Sequence, residues 1–184
     1  MPKYAVFFRN VNLGQGKSPS KAQLEAALAG AGGQGAASFL TNGTAVFIAA
    51  DDRAALRIVE DACVELRAVC GLEEPAFTCA VALLVARVAA DPFAGLDLSN
   101  VYLTQASFLP AGAAARLEVP SQSPRGDVEV VYAEDMATCG AVFSLVHTVG
   151  QTTGSSTAFL EKTLQVPVTT RNWNTVVRLV KKFG

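Results

Sequence analysis

The stretch from Ser38 to Ala49 constrains the fold more than any other part of the chain. Two short strand-like runs, 38–41 and 45–49, flank Asn42-Gly43. Asn-Gly is the pair favoured in two-residue hairpin loops, because both central residues take positive φ there. The spacing predicts a hairpin with Asn42-Gly43 at its tip. Helix-period patterns lie on either side. Upstream, Pro19 precedes Ser20-Lys21-Ala22-Gln23, the spacing of a capping box, and Leu24, Ala27 and Leu28 follow as an apolar face. Glycines from Gly30 to Gly35 end that helix. Downstream, Asp51 or Asp52 can cap a helix in which Leu56, Val59, Ala62, Cys63, Leu66 and Cys70 recur at helical spacing. Lys3 to Phe8 reads as a buried first strand and Phe77 to Val81 as a fourth. The resulting order, β-α-β-β-α-β, is that of the ferredoxin-like split unit.

The second half repeats this order loosely, without a residue-level repeat. Val101 to Ala106, Val128 to Tyr132 and Ala141 to Val146 read as strands, and the Ala-rich run Pro110 to Leu117 as a short helix. Pro120 to Gly126 is a polar loop, Thr157 to Leu164 a helix, and Val166 to Thr169 extended. The closing helix is expected from about Arg171 to Lys182. A division around Asp91-Pro92-Phe93 gives residues 1–93 as a ferredoxin-like subdomain and 94–184 as a second α+β subdomain with a C-terminal helix. The expected class is therefore α+β, built from two packed subdomains.

Composition narrows the function classes. Of 184 residues, 51% are hydrophobic and 17% charged, which excludes disorder and supplies a sizeable core. The formal charge of −1 excludes whole-molecule electrostatic attraction to nucleic acid or to a membrane. No apolar run reaches the ~18 residues that span a bilayer. The start, Met1-Pro2-Lys3-Tyr4, enters a strand pattern directly and lacks the build of a signal peptide, so a cytoplasmic protein is expected. Cys63, Cys70, Cys79 and Cys139 form no C-x-x-C pair, and His147 is the only histidine. No metal site and no cofactor are expected, and the cysteines read as reduced, small buried hydrophobes.

Three segments carry polar groups dense enough to bind something. The first is Arg9 to Lys17, with Gly14-x-Gly16 followed by Lys17-Ser18 ahead of a helix. Gly-rich turns let backbone N–H groups converge on an anion. A Walker A loop would need a glycine five residues before Gly16, and Val11 stands there, so a P-loop is rejected. The second is Thr169-Thr170-Arg171-Asn172-Trp173-Asn174-Thr175. At about 100° per residue, Trp173, Val176, Val177 and Val180 share one side of a helix, and Arg171, Asn174, Thr175, Arg178 and Lys182 the other. Trp173 then reads as a core anchor, Thr170 as the N-cap, and Lys181 and Lys182 as complements to the helix dipole. Arg171 and Asn174 are more specific in type than a solvated face requires. The third is the hydroxyl-rich run Gln151 to Thr157, a loop and N-cap beside His147. No G-x-S-x-G, H-E-x-x-H or paired-carboxylate motif supplies a catalytic assignment.

Together these residues predict a binding protein for a small anionic molecule or nucleotide. Arg9, Asn12, Gly14, Lys17, Arg171 and Asn174 would form its site at the junction of the two subdomains. An enzyme acting on such a ligand is a rival reading, which the missing motifs oppose. A protein-interaction module is another. A third is single-stranded nucleic-acid binding on a sheet bearing Phe7, Phe8, Phe39 and Phe47; net charge and the absence of a basic-aromatic pattern weigh against it.

The chain also resembles a known family, the bacterial domain of unknown function 1697. The resemblance rests on Tyr4 to Lys17, the strand ending at Phe47, Pro92-Phe93 and, above all, the closing motif at residues 169–175. It implies two α+β subdomains, the first ferredoxin-like, and no established activity. The family pattern usually has Ser-Gly-Asn in the first hairpin, where this chain has Asn42-Gly43-Thr44, and a basic residue where it has Gln151.

Overall fold

The computed structural model describes all residues from Met1 to Gly184. The chain forms two compact units, one of Met1–Leu83 with Phe183 and one of Leu84–Lys182 with Gly184. The division expected between residues 93 and 94 falls inside the second.

The first unit runs β1 (Lys3–Phe8), α1 (Lys21–Gly30), β2 (Gln34–Phe39), β3 (Thr44–Ile48), α2 (Asp52–Cys70) and β4 (Ala76–Ala80). Its sheet has the order β2-β3-β1-β4 with antiparallel neighbours throughout. This is the β-α-β-β-α-β order expected from the hairpin and its flanking helices. Ser20 and Gln23 form the capping box of α1: Gln23 N donates to Ser20 Oγ at 3.2 Å and Ser20 N to Gln23 Oε1 at 2.7 Å. Asp51 caps α2 by accepting from Ala54 N, while Asp52 accepts from the Tyr4 hydroxyl and ties the helix to β1. Tyr4, Val6, Phe8, Leu24, Leu28, Phe47, Val59 and Leu66 belong to one core cluster.

Two details differ from the sequence reading. Phe39 pairs with Thr44, so the hairpin loop has four residues, Leu40 to Gly43, rather than two. Leu40 and Gly43 take the positive φ values of 60° and 68°. Gly43 is held by its neighbours rather than by a tight turn, since its carbonyl accepts from Phe8 N at 2.8 Å. The buried face of α2 is also turned, to Ala55, Ile58, Val59, Ala62 and Leu66, leaving Leu56 exposed.

The helix α3 (Val81–Ala90) follows directly. Its sequence is apolar nearly all round, with Arg87 as its one charged residue, so no polar face marks it as a helix in the sequence. The second unit continues with β5 (Leu103–Leu109), a 3-10 turn at Ala114–Arg116, β6 (Ser121–Gln122), β7 (Val128–Asp135) and β8 (Gly140–Val146). A small ribbon of β9 (Thr148–Val149) and β10 (Thr152–Thr153) leads to α4 (Ser156–Leu164), β11 (Thr169–Asn172) and α5 (Trp173–Phe183). The main sheet has the order β11-β5-β8-β7-β6. The expected loose repeat is present in outline: β5, β7, β8 and β11 lie in the same antiparallel order as the four strands of the first unit, with the Ala-rich helix reduced to a single turn and β6 added at the edge.

On one face of this sheet, Leu109, Val130 and Val142 pack with Leu160 and Leu164 of α4. On the other, Phe143 meets Trp173 and Phe93 edge-on, with ring centroids 5.5 and 6.4 Å away. Trp173 is buried, as its spacing with Val176 predicts. The start of its helix, however, is corrected. Thr169 to Asn172 pair with β5 as a strand, and Asn172, not Thr170, stands at the N-cap, without a side-chain cap bond. Two β-branched threonines favour a strand over a helix start, and pairing satisfies their backbone groups.

Candidate functional site

The strand β1 ends at Phe8 and β4 begins at Ala76, and these two residues pair. The segments just beyond them therefore meet: Arg9 N donates to Pro75 O at 2.9 Å. Arg9 Nη1 bonds Glu74 Oε2 at 2.5 Å, and Asn10 Nδ2 bonds Glu74 Oε1 at 3.0 Å. Both charged side chains are about a quarter to a third exposed, so the pair positions the loop more than it stabilises the fold.

From Asn12 the loop folds on itself in two successive turns. Gln15 N donates to Asn12 O at 3.1 Å and Ser18 N to Gln15 O at 2.9 Å. Asn12 is committed within the loop, its Nδ2 donating to Gln15 Oε1 and its N to Ser18 Oγ. Gly14 and Gly16 have φ of 80° and 54°, the left-handed conformation that the turns require. The amides of Gly16 and Lys17 find no acceptor within the chain. Leu13 N donates to Thr41 O, so the hairpin tip braces the loop from behind.

Between this loop and the α2–β4 connection lies a cleft of about 570 Å³. Its walls include Asn10, Asn12, Gln15, Gly16, Lys17 and Ser18 on one side and Gly71, Leu72, Glu73 and Glu74 on the other. Lys17 and Glu73 are exposed and take part in no ion pair. The charge at the cleft is thus local: a lysine and two open amides at the loop, an acid across from them, and the internal pair of Arg9 with Glu74.

The expected site residues fall into distinct roles. Asn12 and Lys17 line the cleft. Arg9 holds the wall through Glu74, and Gly14 shapes the turn, with its N bonded to Pro19 O. Arg171 and Asn174 belong to the second unit. The sequence places Arg171 on the solvent side of a helix; on β11 it is instead 7% exposed, because alternate strand residues turn to opposite faces. Its Nη1 donates to Thr169 Oγ1 and Thr170 O, each at 2.9 Å. Burial pushes its pKa down to about 10, which leaves it charged at neutral pH. Asn174 is exposed on α5.

Sequence reasoning missed Glu73 and Glu74. The signal was the pairing of the first and fourth strands, which sets the residues after one beside those before the other. The remaining candidates hold structural partners. His147 Nδ1 contacts Asn100 O, and its Nε2 lies 3.9 Å from Glu129 Oε2. Ser155 caps α4 by accepting from Ala158 N. None of the four cysteines is in a disulfide; Cys79 and Cys139 are buried, and burial pushes the Cys63 thiol up. Phe7, Phe8, Phe39 and Phe47 are all buried, so none of them is an exposed stacking platform. No helix is long and apolar enough to cross a membrane.

The model of the protein family of unknown function DUF1697 matches residues 1–136, and the chain belongs to that family. No curated protein matches the chain in sequence. Among solved structures, the conserved bacterial protein SP0830 from Streptococcus pneumoniae is similar, at 19% identity and a TM-score of 0.68. The match covers 99% of this chain and 98% of that one, and at this identity it shows the shared fold alone.

Proposed function

We propose that this DUF1697 protein is a binding module for a small polar molecule bearing an anionic group, seated in the cleft of the first loop. The observation that carries the reading is that Gly16 and Lys17, whose amides bond nothing within the chain, line that cleft together with the unpaired Lys17 side chain. Amide donors in a turn with left-handed glycines suit an oxyanion, and an adjacent ammonium adds the charge. The loop is braced by Thr41, Glu74 and Pro75, so its geometry is set before any ligand arrives. Arg171 serves its own strand in this reading and does not touch the ligand.

The test is calorimetry on wild type and Lys17→Ala with inorganic phosphate, nucleotides and short RNA. One of the phosphate compounds is expected to bind wild type, with affinity at least tenfold weaker in Lys17→Ala. That factor corresponds to about 1.4 kcal/mol, within reach of one charge-assisted hydrogen bond. If none binds, or if binding ignores Lys17, the reading fails. The protein-interaction alternative would then rest on the exposed Leu96, Leu98 and Tyr102 of the second unit.

A further inference from the structure

The hydroxyl-rich run before α4 crosses one face of the second sheet. At one end, Gly154 lies against the Asp127 carbonyl, so closely that a Cβ there would collide with it, and Gly154 N donates to His147 O at 3.1 Å. At the other end, Thr157 Oγ1 donates to Thr170 Oγ1 of β11 at 2.7 Å. The strand register sets Val130, Ser144, Gln105 and Asn172 in one row across the sheet. Val142, Ser107 and Thr170 form the next row. The run begins at the end of the sheet beyond the first row and reaches the second at Thr157. Ser156 therefore passes over the row that contains Ser144.

Ser144 and Ser156 are 0% and 1% exposed, and neither Oγ has a hydrogen-bond partner. Their neighbours make the deficit larger. Thr157, Thr170 and Ser107 are three hydroxyls joined by two hydrogen bonds, so one of their three protons has no acceptor among them. Ser155 Oγ takes the amide of Ala158, which leaves the amides of Ser156 and Thr157 at the start of α4 without intrahelical partners. Each of these hydroxyls can donate and the two amides can only donate, so an oxygen placed among them finds several donors. Unpartnered buried hydroxyls are rare in native proteins and are commonly completed by a bound molecule.

We propose that this patch binds an acceptor oxygen, held by Ser144 Oγ and Ser156 Oγ beneath the N-terminus of α4. Arg171, on the opposite side-chain face of β11 from Thr170, does not border it. Two sources supply such an oxygen to the same donors: a buried water, or a small oxyanion such as phosphate attracted by the helix N-terminus. This site is separate from the first-loop cleft, which lies in the other unit and is read out through Lys17.

The test uses the full chain as wild type, Ser144→Ala and Ser156→Ala, crystallised and melted with and without inorganic phosphate. Wild type is expected to show a density peak within about 3 Å of both Oγ atoms, lost in Ser144→Ala. Each variant is expected to melt about 2–4 °C lower, because it breaks a satisfied hydrogen bond. A peak unaffected by phosphate identifies water. A phosphate-induced rise in melting temperature that Ser144→Ala removes and Lys17→Ala keeps identifies an oxyanion. Absence of any peak in wild type overturns the proposal whatever the variants do. An unchanged or raised melting temperature in both variants also overturns it, since deleting a truly unsatisfied hydroxyl relieves a cost.

Discussion

Glu25 shows what one side chain does at a sheet edge. It projects from α1 and accepts from Ser38 N and Ser38 Oγ, both at 2.8 Å, on the edge strand β2. It therefore occupies a backbone donor that another chain could otherwise pair with. The Ser38 amide is the main cause holding the Glu25 carboxyl below its ordinary value, with further help from the Ser38 hydroxyl and Lys21. A carboxylate lowered on folding contributes stability that is present above its unfolded pKa and lost as pH falls through its folded one. Wild type should be more stable than Glu25→Gln near neutrality, and the gap should close as pH falls below the ordinary glutamate range. Urea midpoints of both proteins across that range check this; a gap independent of pH would contradict it. At this scale the sequence was readable where a residue's role follows from local spacing. Ser20 with Gln23 and Trp173 with Val176 are such cases. Arg171 was not, because whether it faces solvent depends on a strand or helix choice that pairing with β5 decides.

At the scale of elements, the hairpin tip and the first loop act as one assembly. Gly43 and Gly14 have similar positive φ, but their surroundings differ. A Cβ on Gly14 would meet nothing within 4 Å, whereas one on Gly43 would lie 2.6 Å from Val11 Cβ and 3.1 Å from Phe8 Cβ. Gly14→Ala should cost about 1–2 kcal/mol, the left-handed penalty alone. Gly43→Ala carries the same penalty plus a clash with two buried residues, and should be clearly the less stable in denaturant melts. Equal destabilisation would show that the tip does not brace the loop. Asn42-Gly43 announced the hairpin in the sequence, but its loop length is set by contacts with residues about thirty positions earlier, which no local signal carries. The helix α3 was hidden for another reason: a short run of ten residues with one charge reads as a buried strand or a buried helix alike.

At the scale of the whole molecule, the order of elements in the first unit was legible, because a capped helix, a hairpin signal and a second periodic helix leave few arrangements open. The second unit was legible in outline as a loose repeat of that order, but not its edge strand β6 or the β9–β10 ribbon, since two-residue strands leave no period to read. The candidate site was half legible. Asn12, Lys17 and the glycines stood out by type, while the acidic wall at Glu73 and Glu74 needed the β1–β4 pairing to bring it across. Whether this cleft takes an anionic ligand, as proposed, decides the functional reading. The most direct measurement is chemical-shift mapping of the isotope-labelled full chain titrated with inorganic phosphate and then with a nucleotide. Saturating shifts confined to the amides of Gly14 to Ser18 and Gly71 to Glu74 are expected, abolished in Lys17→Ala. Saturating shifts elsewhere that survive Lys17→Ala, or none at all, would contradict it.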